Sequence, residues 1–121
     1  MHKMLLLTSF LAFCTAQASD WVSICKNDNN SRKYFADVSS VGITGEIRRV
    51  WVKTIDRPNK PFSLKRLAFN CDEGTMRWEA STLYGIEISH PVGSFPTPWK
   101  PVPPDTVGSA IMQFVCKWKP N

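Results

Sequence analysis

Hydrophobic positions recur along this chain with two different periods, and the change between them separates a run of strands from a single helix. Residues 21–25, Trp-Val-Ser-Ile-Cys, alternate large and small and predict a first strand. The polar cluster at 26–31 predicts a turn. Residues 33–37 predict a second, short strand that ends in a turn over Asp37 to Ser40. Beyond Gly42 and Gly45, residues 46–55 form the clearest strand, rich in β-branched and aromatic side chains. Pro58 and Pro61 lie too close together for a central strand and predict a loop. Residues 63–71 then place Leu67, Phe69 and Cys71 on one face against Arg66, Ala68 and Asn70 on the other. Asp72-Glu73-Gly74 predicts a tight hairpin connection. The strand over 75–84 sets Met76, Trp78, Ala80 and Tyr84 against Arg77, Glu79 and Ser81. Gly85 breaks it, and residues 86–89 read as a short continuation.

The period then changes. Residues 90–105 contain Pro91, Pro96, Pro98, Pro101, Pro103 and Pro104, which predict an extended crossing loop without regular structure. Val107, Ala110, Ile111, Phe114 and Val115 follow at i, i+3, i+4, i+7 and i+8, one apolar stripe on a helix. Asp105 or Thr106 can cap it. Gly108 in the first turn weakens it by up to ~1 kcal/mol relative to alanine, so the helix depends on packing. Strands followed by one amphipathic helix indicate an α+β domain: an antiparallel β-sheet of about five or six strands with a C-terminal helix on one face.

The N-terminus bears on compartment. His2 and Lys3 open the chain, residues 4–13 are apolar, and Ala16-Gln17-Ala18 is a small-x-small cleavage signal. The apolar run falls short of the roughly 20 residues that span a bilayer. Residues 1–18 therefore read as a signal peptide and 19–121 as one mature domain, with no transmembrane segment after cleavage. Cys14 raises the alternative of a lipid anchor, but bulky Phe13 stands where a small residue is required. The chain has 15 Lys and Arg against 10 Asp and Glu, a net charge of +5, and losing Lys3 leaves about +4. That charge gives a mild preference for anionic partners, and it is too small and scattered to imply nucleic acid. The expected location is the periplasm, or secretion to the cell surface.

Three cysteines remain after cleavage: Cys25, Cys71 and Cys116. Two should pair in an oxidising compartment, and spacing alone does not choose among the three pairings. No C-x-x-C pair exists and His90 is the only mature histidine, so a four-ligand zinc site would need carboxylates. No metal or cofactor is expected. His90 precedes Pro91 in a loop, and no nucleophile signature surrounds any Ser or Cys. Asp72 and Glu73 are ordinary turn acids. Catalysis is not expected.

The candidate binding site is a sheet face. If Val50 and Val52 point at the helix, period two sends Arg49, Trp51 and Lys53 to the opposite side. Arg66 and Arg77 share that outward parity if Leu67, Phe69, Met76 and Trp78 face inward. A tryptophan among four cations can hold an acidic or glycan partner by stacking and charge. The same pattern also describes a solvated face with Trp51 under cationic stems, a buried dimer surface, or an inverted register with Trp51 in the core.

Several segments in order carry a family resemblance. They are Tyr34-Phe35-Ala36-Asp37-Val38-Ser39-Ser40-Val41, Val50-Trp51-Val52, Phe69-Asn70-Cys71, residues 99–108 from Trp99-Lys100-Pro101 onward, and the closing Val115-Cys116. From Trp21 to Cys116 the chain resembles the surface-adhesin protein E-like domain of bacterial exported proteins. The resemblance implies an antiparallel sheet backed by helix, and it singles out Cys71 with Cys116 as the disulfide, leaving Cys25 extra. It also implies a non-enzymatic binding module of the envelope, with a host-matrix or envelope protein as partner and self-association into a homodimer as the alternative role. The chain departs from the pattern before the helix: a threonine cap with Ser109 three residues on cannot form the reciprocal capping box.

Overall fold

The computed structural model describes residues 18–27, 31–56, 62–84, 90–91 and 94–120. The leader at 1–17, the Pro58–Pro61 loop and the strand expected at 86–89 lie outside the described residues. Five long strands run antiparallel, each hydrogen-bonded to the next: β1 (Trp21–Lys26), β2 (Lys33–Thr44), β3 (Ile47–Ile55), β4 (Phe62–Asn70) and β5 (Thr75–Tyr84). Two short strands, β6 (His90–Pro91) and β7 (Lys100–Pro101), both pair with β5. One helix, α1 (Val107–Lys117), closes the chain. This is the expected α+β architecture.

The turns follow from local chemistry. Gly45 occupies the first position of the two-residue β2–β3 connection at φ 60°, where a Cβ would be strained. Between β4 and β5 the Asn70 carboxamide oxygen accepts from Asp72 N and Glu73 N at 3.1 and 3.0 Å, and Gly74 closes the turn at φ 68°. The turn expected over Asp37 to Ser40 is instead a bulge inside a longer β2. Asp37 pairs with Trp51 and Gly42 with Arg49, so four residues of β2 oppose Val50 alone. Ser40 stabilises the detour. Its hydroxyl donates to the Asp37 carbonyl at 2.7 Å and accepts from Trp51 N at 3.0 Å, replacing the ladder bonds that the bulge removes.

The proline-rich segment is more ordered than its composition suggests. Pro91 and His90 pair with Thr82 and Leu83, and Pro101 and Lys100 pair with Thr75 and Met76. Midway, Thr97 N donates to the Trp78 carbonyl and Trp78 N donates to the Thr97 hydroxyl, both at 2.9 Å. The segment thus follows the free edge of β5 in the opposite direction. Prolines lack N–H donors, so the segment covers the edge without offering a continuous edge of its own.

The core lies between the sheet and α1. Ala36, Val50, Val52, Leu67, Phe69, Ile111 and Val115 are buried together, and Phe69, Val50 and Val115 are the largest fully buried side chains. Thr106 is the N-cap: its hydroxyl oxygen accepts from Ser109 N at 3.1 Å and its hydroxyl donates to the Pro103 carbonyl at 2.8 Å. At the other end the Arg48 guanidinium donates to the carbonyls of Val115 and Trp118. The helix C-terminus thereby receives a cation, and the Val115 carbonyl, which also accepts from Trp118 N at 3.2 Å, gains a second donor. Cys71, in the turn after β4, is bonded to Cys116 with Cα atoms 5.8 Å apart. This is the pairing that the resemblance implied. Closing a loop with sequence separation 45 contributes roughly 3–4 kcal/mol in the chain-entropy model. Cys25 is a free, half-buried thiol whose pKa is pushed up by burial. Among the described residues no helix is long and apolar enough to cross a membrane.

Candidate functional site

Cross-strand partners in a sheet project to the same side, so the register fixes the composition of each face. Val50 pairs with Leu67 and Val52 with Ala36, all in the core under the helix. Arg49, Trp51 and Lys53 therefore project from the other side. Trp51 pairs with Arg66, and Arg49 pairs with Ala68, which in turn pairs with Arg77. All five side chains expected on one face, Arg49, Trp51, Lys53, Arg66 and Arg77, share the helix-free side. Trp51 is half-buried there and not part of the core.

The face is built in rows. One row crosses five strands as Trp21, Asp37, Trp51, Arg66 and Ala80. The next carries Ser23, Phe35, Lys53, Leu64 and Thr82. The Lys53 ammonium lies 4.6 Å from the Trp21 ring centroid and 5.8 Å from that of Phe35, so two aromatic rings from β1 and β2 hold a cation from β3.

The position of Glu79 comes from a bulge. Leu67 pairs with Trp78 and Arg66 with Ala80, so Glu79 is the extra residue between them. The alternation expected along β5 is correct only as far as this point. Beyond Glu79 it inverts: Ala80 moves to the helix-free face opposite Arg66, and Ser81 turns inward opposite Lys65, where it is buried. The bulge aims Glu79 into the middle of the arginines. Its carboxylate accepts from Arg49 Nε at 2.8 Å and from Arg77 Nη2 at 3.0 Å, and Arg66 Nε stands 3.9 Å away. Burial works to raise the Glu79 pKa. The hydrogen bonds from Arg49 and Arg77, together with their charges, outweigh it and hold the carboxyl below its ordinary range.

Arg77 has a second partner. Its guanidinium carbon lies 4.7 Å from the centroid of Trp99, which the edge segment brings beside β5. Asp37 is also fixed. Its Oδ1 accepts from Asp20 N at 2.8 Å, from Ser39 N at 3.1 Å and from the Ser39 hydroxyl at 2.6 Å. Burial opposes ionisation of Asp37, but these bonds prevail and lower its pKa. The side of the sheet away from the helix thus presents three tryptophans, four cations and two engaged carboxylates. Arg66, with its side chain 47% exposed, is the most accessible of the arginines bound to Glu79.

Sequence reasoning alone misses Trp21 and Trp99 as members of this face, and the convergence of three arginines on Glu79. Period two already places Glu79 beside Arg77 on β5, but not that β3 and β4 carry their arginines to the same point. Trp99 lies in a stretch where no period exists to assign it a side. His90 sits in β6 opposite Leu83. Among the described residues no three His, Cys, Asp or Glu side chains come together in a metal-binding group.

Comparison with known proteins agrees with the geometry at the level of family. The family model for surface-adhesin protein E matches residues 21–117, nearly all of the described chain. No curated protein and no solved structure matches it.

Proposed function

This chain belongs to the surface-adhesin protein E family, and from that membership we propose that it is an exported, non-enzymatic binding module whose helix-free sheet face docks a protein partner. Residues 1–18 serve as the signal peptide in this reading, and residues 19–121 act at the cell surface or in the periplasm. The partner is a host-matrix or envelope protein with an acidic surface. The observation that carries the reading is the clustering of Trp21, Trp51 and Trp99 with Arg49, Arg66 and Arg77 on one side of the sheet. Tryptophan and arginine are the residues most enriched where a few side chains supply most of an interface's binding energy.

The test is binding of the mature chain to immobilised matrix proteins and, separately, to envelope proteins. Arg66→Ser and Trp51→Ala should each weaken binding about tenfold or more, with unchanged far-UV circular dichroism. Equal affinity in both variants would remove the face from consideration. A second reading, a periplasmic assembly component acting through self-association, is favoured by β1, which among the described residues pairs with β2 alone. Cell fractionation separates the two, since adhesion to a host requires surface exposure.

A further inference from the structure

The side of the sheet that carries the helix is not closed throughout. Between α1, β3–β5 and the residues that lead into the helix lies a cleft of about 330 Å³. Val52, Leu67 and Met76 from the sheet and Val107 and Ile111 from the helix supply apolar walls. Lys65 also lines it, at a register position whose neighbours on β3 and β4, Val52 and Leu67, belong to the core.

Lys65 is out of place by the ordinary rules of burial. A lysine directed to the helix side of a sheet is normally paired with a carboxylate. Here the ammonium lies 4.3 Å from the Trp78 ring centroid, and among the described residues no carboxylate comes within ion-pair distance. Two further cations stand near it. Lys100 lines the same cleft, and Arg32 acts on Lys65 from nearby. Desolvation and, after it, the Arg32 charge hold the Lys65 pKa below the ordinary lysine range. The cleft therefore combines apolar walls with a lysine that no carboxylate among the described residues pairs.

We propose that this cleft binds a medium-chain aliphatic carboxylate, with the alkyl chain between Val52, Leu67 and Ile111 and the carboxylate on Lys65. The occupant follows from volume and charge. A space of about 330 Å³ accommodates about ten groups of water size at ~30 Å³ each. It falls at the lower end of the roughly 300–1,000 Å³ typical of small-molecule sites. A single negative head supplies a counter-charge that the described residues do not give Lys65, and each buried methylene gains from leaving water. The cleft faces away from the tryptophan–arginine surface, so this ligand and a protein partner occupy opposite sides of the sheet.

Decanoate titrated into the isotopically labelled full mature chain tests the proposal, with decanol as the uncharged control. Decanoate should shift the methyl resonances of Val52, Leu67, Met76 and Ile111 saturably, and decanol should bind about tenfold or more weakly. Lys65→Met should reduce decanoate affinity by a similar factor without changing that of decanol, and Lys65→Arg should restore it. The proposal fails if decanol binds as tightly as decanoate, if Lys65→Met leaves decanoate affinity unchanged, or if the shifts fall on Trp51 and its neighbours instead. Should Lys65→Met fail to fold, the comparison of decanoate with decanol on the unaltered chain decides alone.

Discussion

Arg49 on β3 and Glu79 on β5 meet at 2.8 Å across an intervening strand. Neighbouring strands lie about 4.8 Å apart, so two side chains separated by a whole strand touch only if both lean over it. Ala68 on the intervening strand, which pairs with Arg49 on one side and Arg77 on the other, is small and fully buried, which leaves room for the crossing. The bulge at Glu79 supplies the required direction. One carboxylate thereby joins arginines from three strands, and it orders the surface on which the proposed partner docks.

Replacing that carboxylate leaves Arg49 and Arg77 beside one another without a counter-charge. Glu79→Gln should lower stability by about 1–3 kcal/mol, the usual cost of losing hydrogen bonds to a charged group. Urea denaturation at neutral pH measures it. A change within error would mean that the cluster is ordered by the strands and not by the carboxylate.

Stability should fall in acid for a defined reason. The folded-state pKa values of Glu79 and Asp37 are both lowered by their hydrogen-bond donors, against the opposing effect of burial. A depressed carboxylate stabilises the fold fully above its unfolded pKa, near 4. That contribution disappears as pH drops through the folded value. Denaturation midpoints should therefore hold steady above about pH 5 and decline below pH 4. The double variant Glu79→Gln with Asp37→Asn should show a flatter acid limb, starting from a lower plateau.

The Cys71–Cys116 bond joins the β4–β5 turn to the last turn of the helix. Cys71→Ser with Cys116→Ser should cost roughly 3–4 kcal/mol by the chain-entropy argument. The loss should be seen in thermal unfolding without reductant. Peptide mapping of the unreduced chain should recover these two cysteines linked and Cys25 free. A bridge from Cys25 to either would contradict the fold.

Arg48 couples the helix to β3 independently of the disulfide. Arg48→Met keeps most of the apolar stem and removes the donors to the Val115 and Trp118 carbonyls. The expected cost is about 1–3 kcal/mol, with faster amide exchange in the last turn of α1. Unchanged exchange there would show that the core contacts of Val115 hold the helix end unaided.

The sequence by itself determined the order of the five long strands and the helix, the α+β class, the amphipathic helix and the alternation along β3 and β4. These are local matters, because side-chain alternation and helical spacing are set by backbone geometry within a few residues. Parity grouped Arg49, Trp51 and Lys53 on one side of β3, and the register with β4 and β5 brought Arg66 and Arg77 to the same side, away from the helix. Tertiary structure decided the rest. Whether Asp37 to Ser40 turns the chain or bulges within a strand depends on what β3 offers opposite. Whether Ser81 faces inward depends on one extra residue in β5, which period-two counting does not detect. The meeting of Glu79 with three arginines, the run of the proline-rich segment along β5 and the isolation of Lys65 in an apolar cleft all arise between residues distant in sequence. Such contacts exist only once strand register has placed them, and register is a property of the assembled sheet.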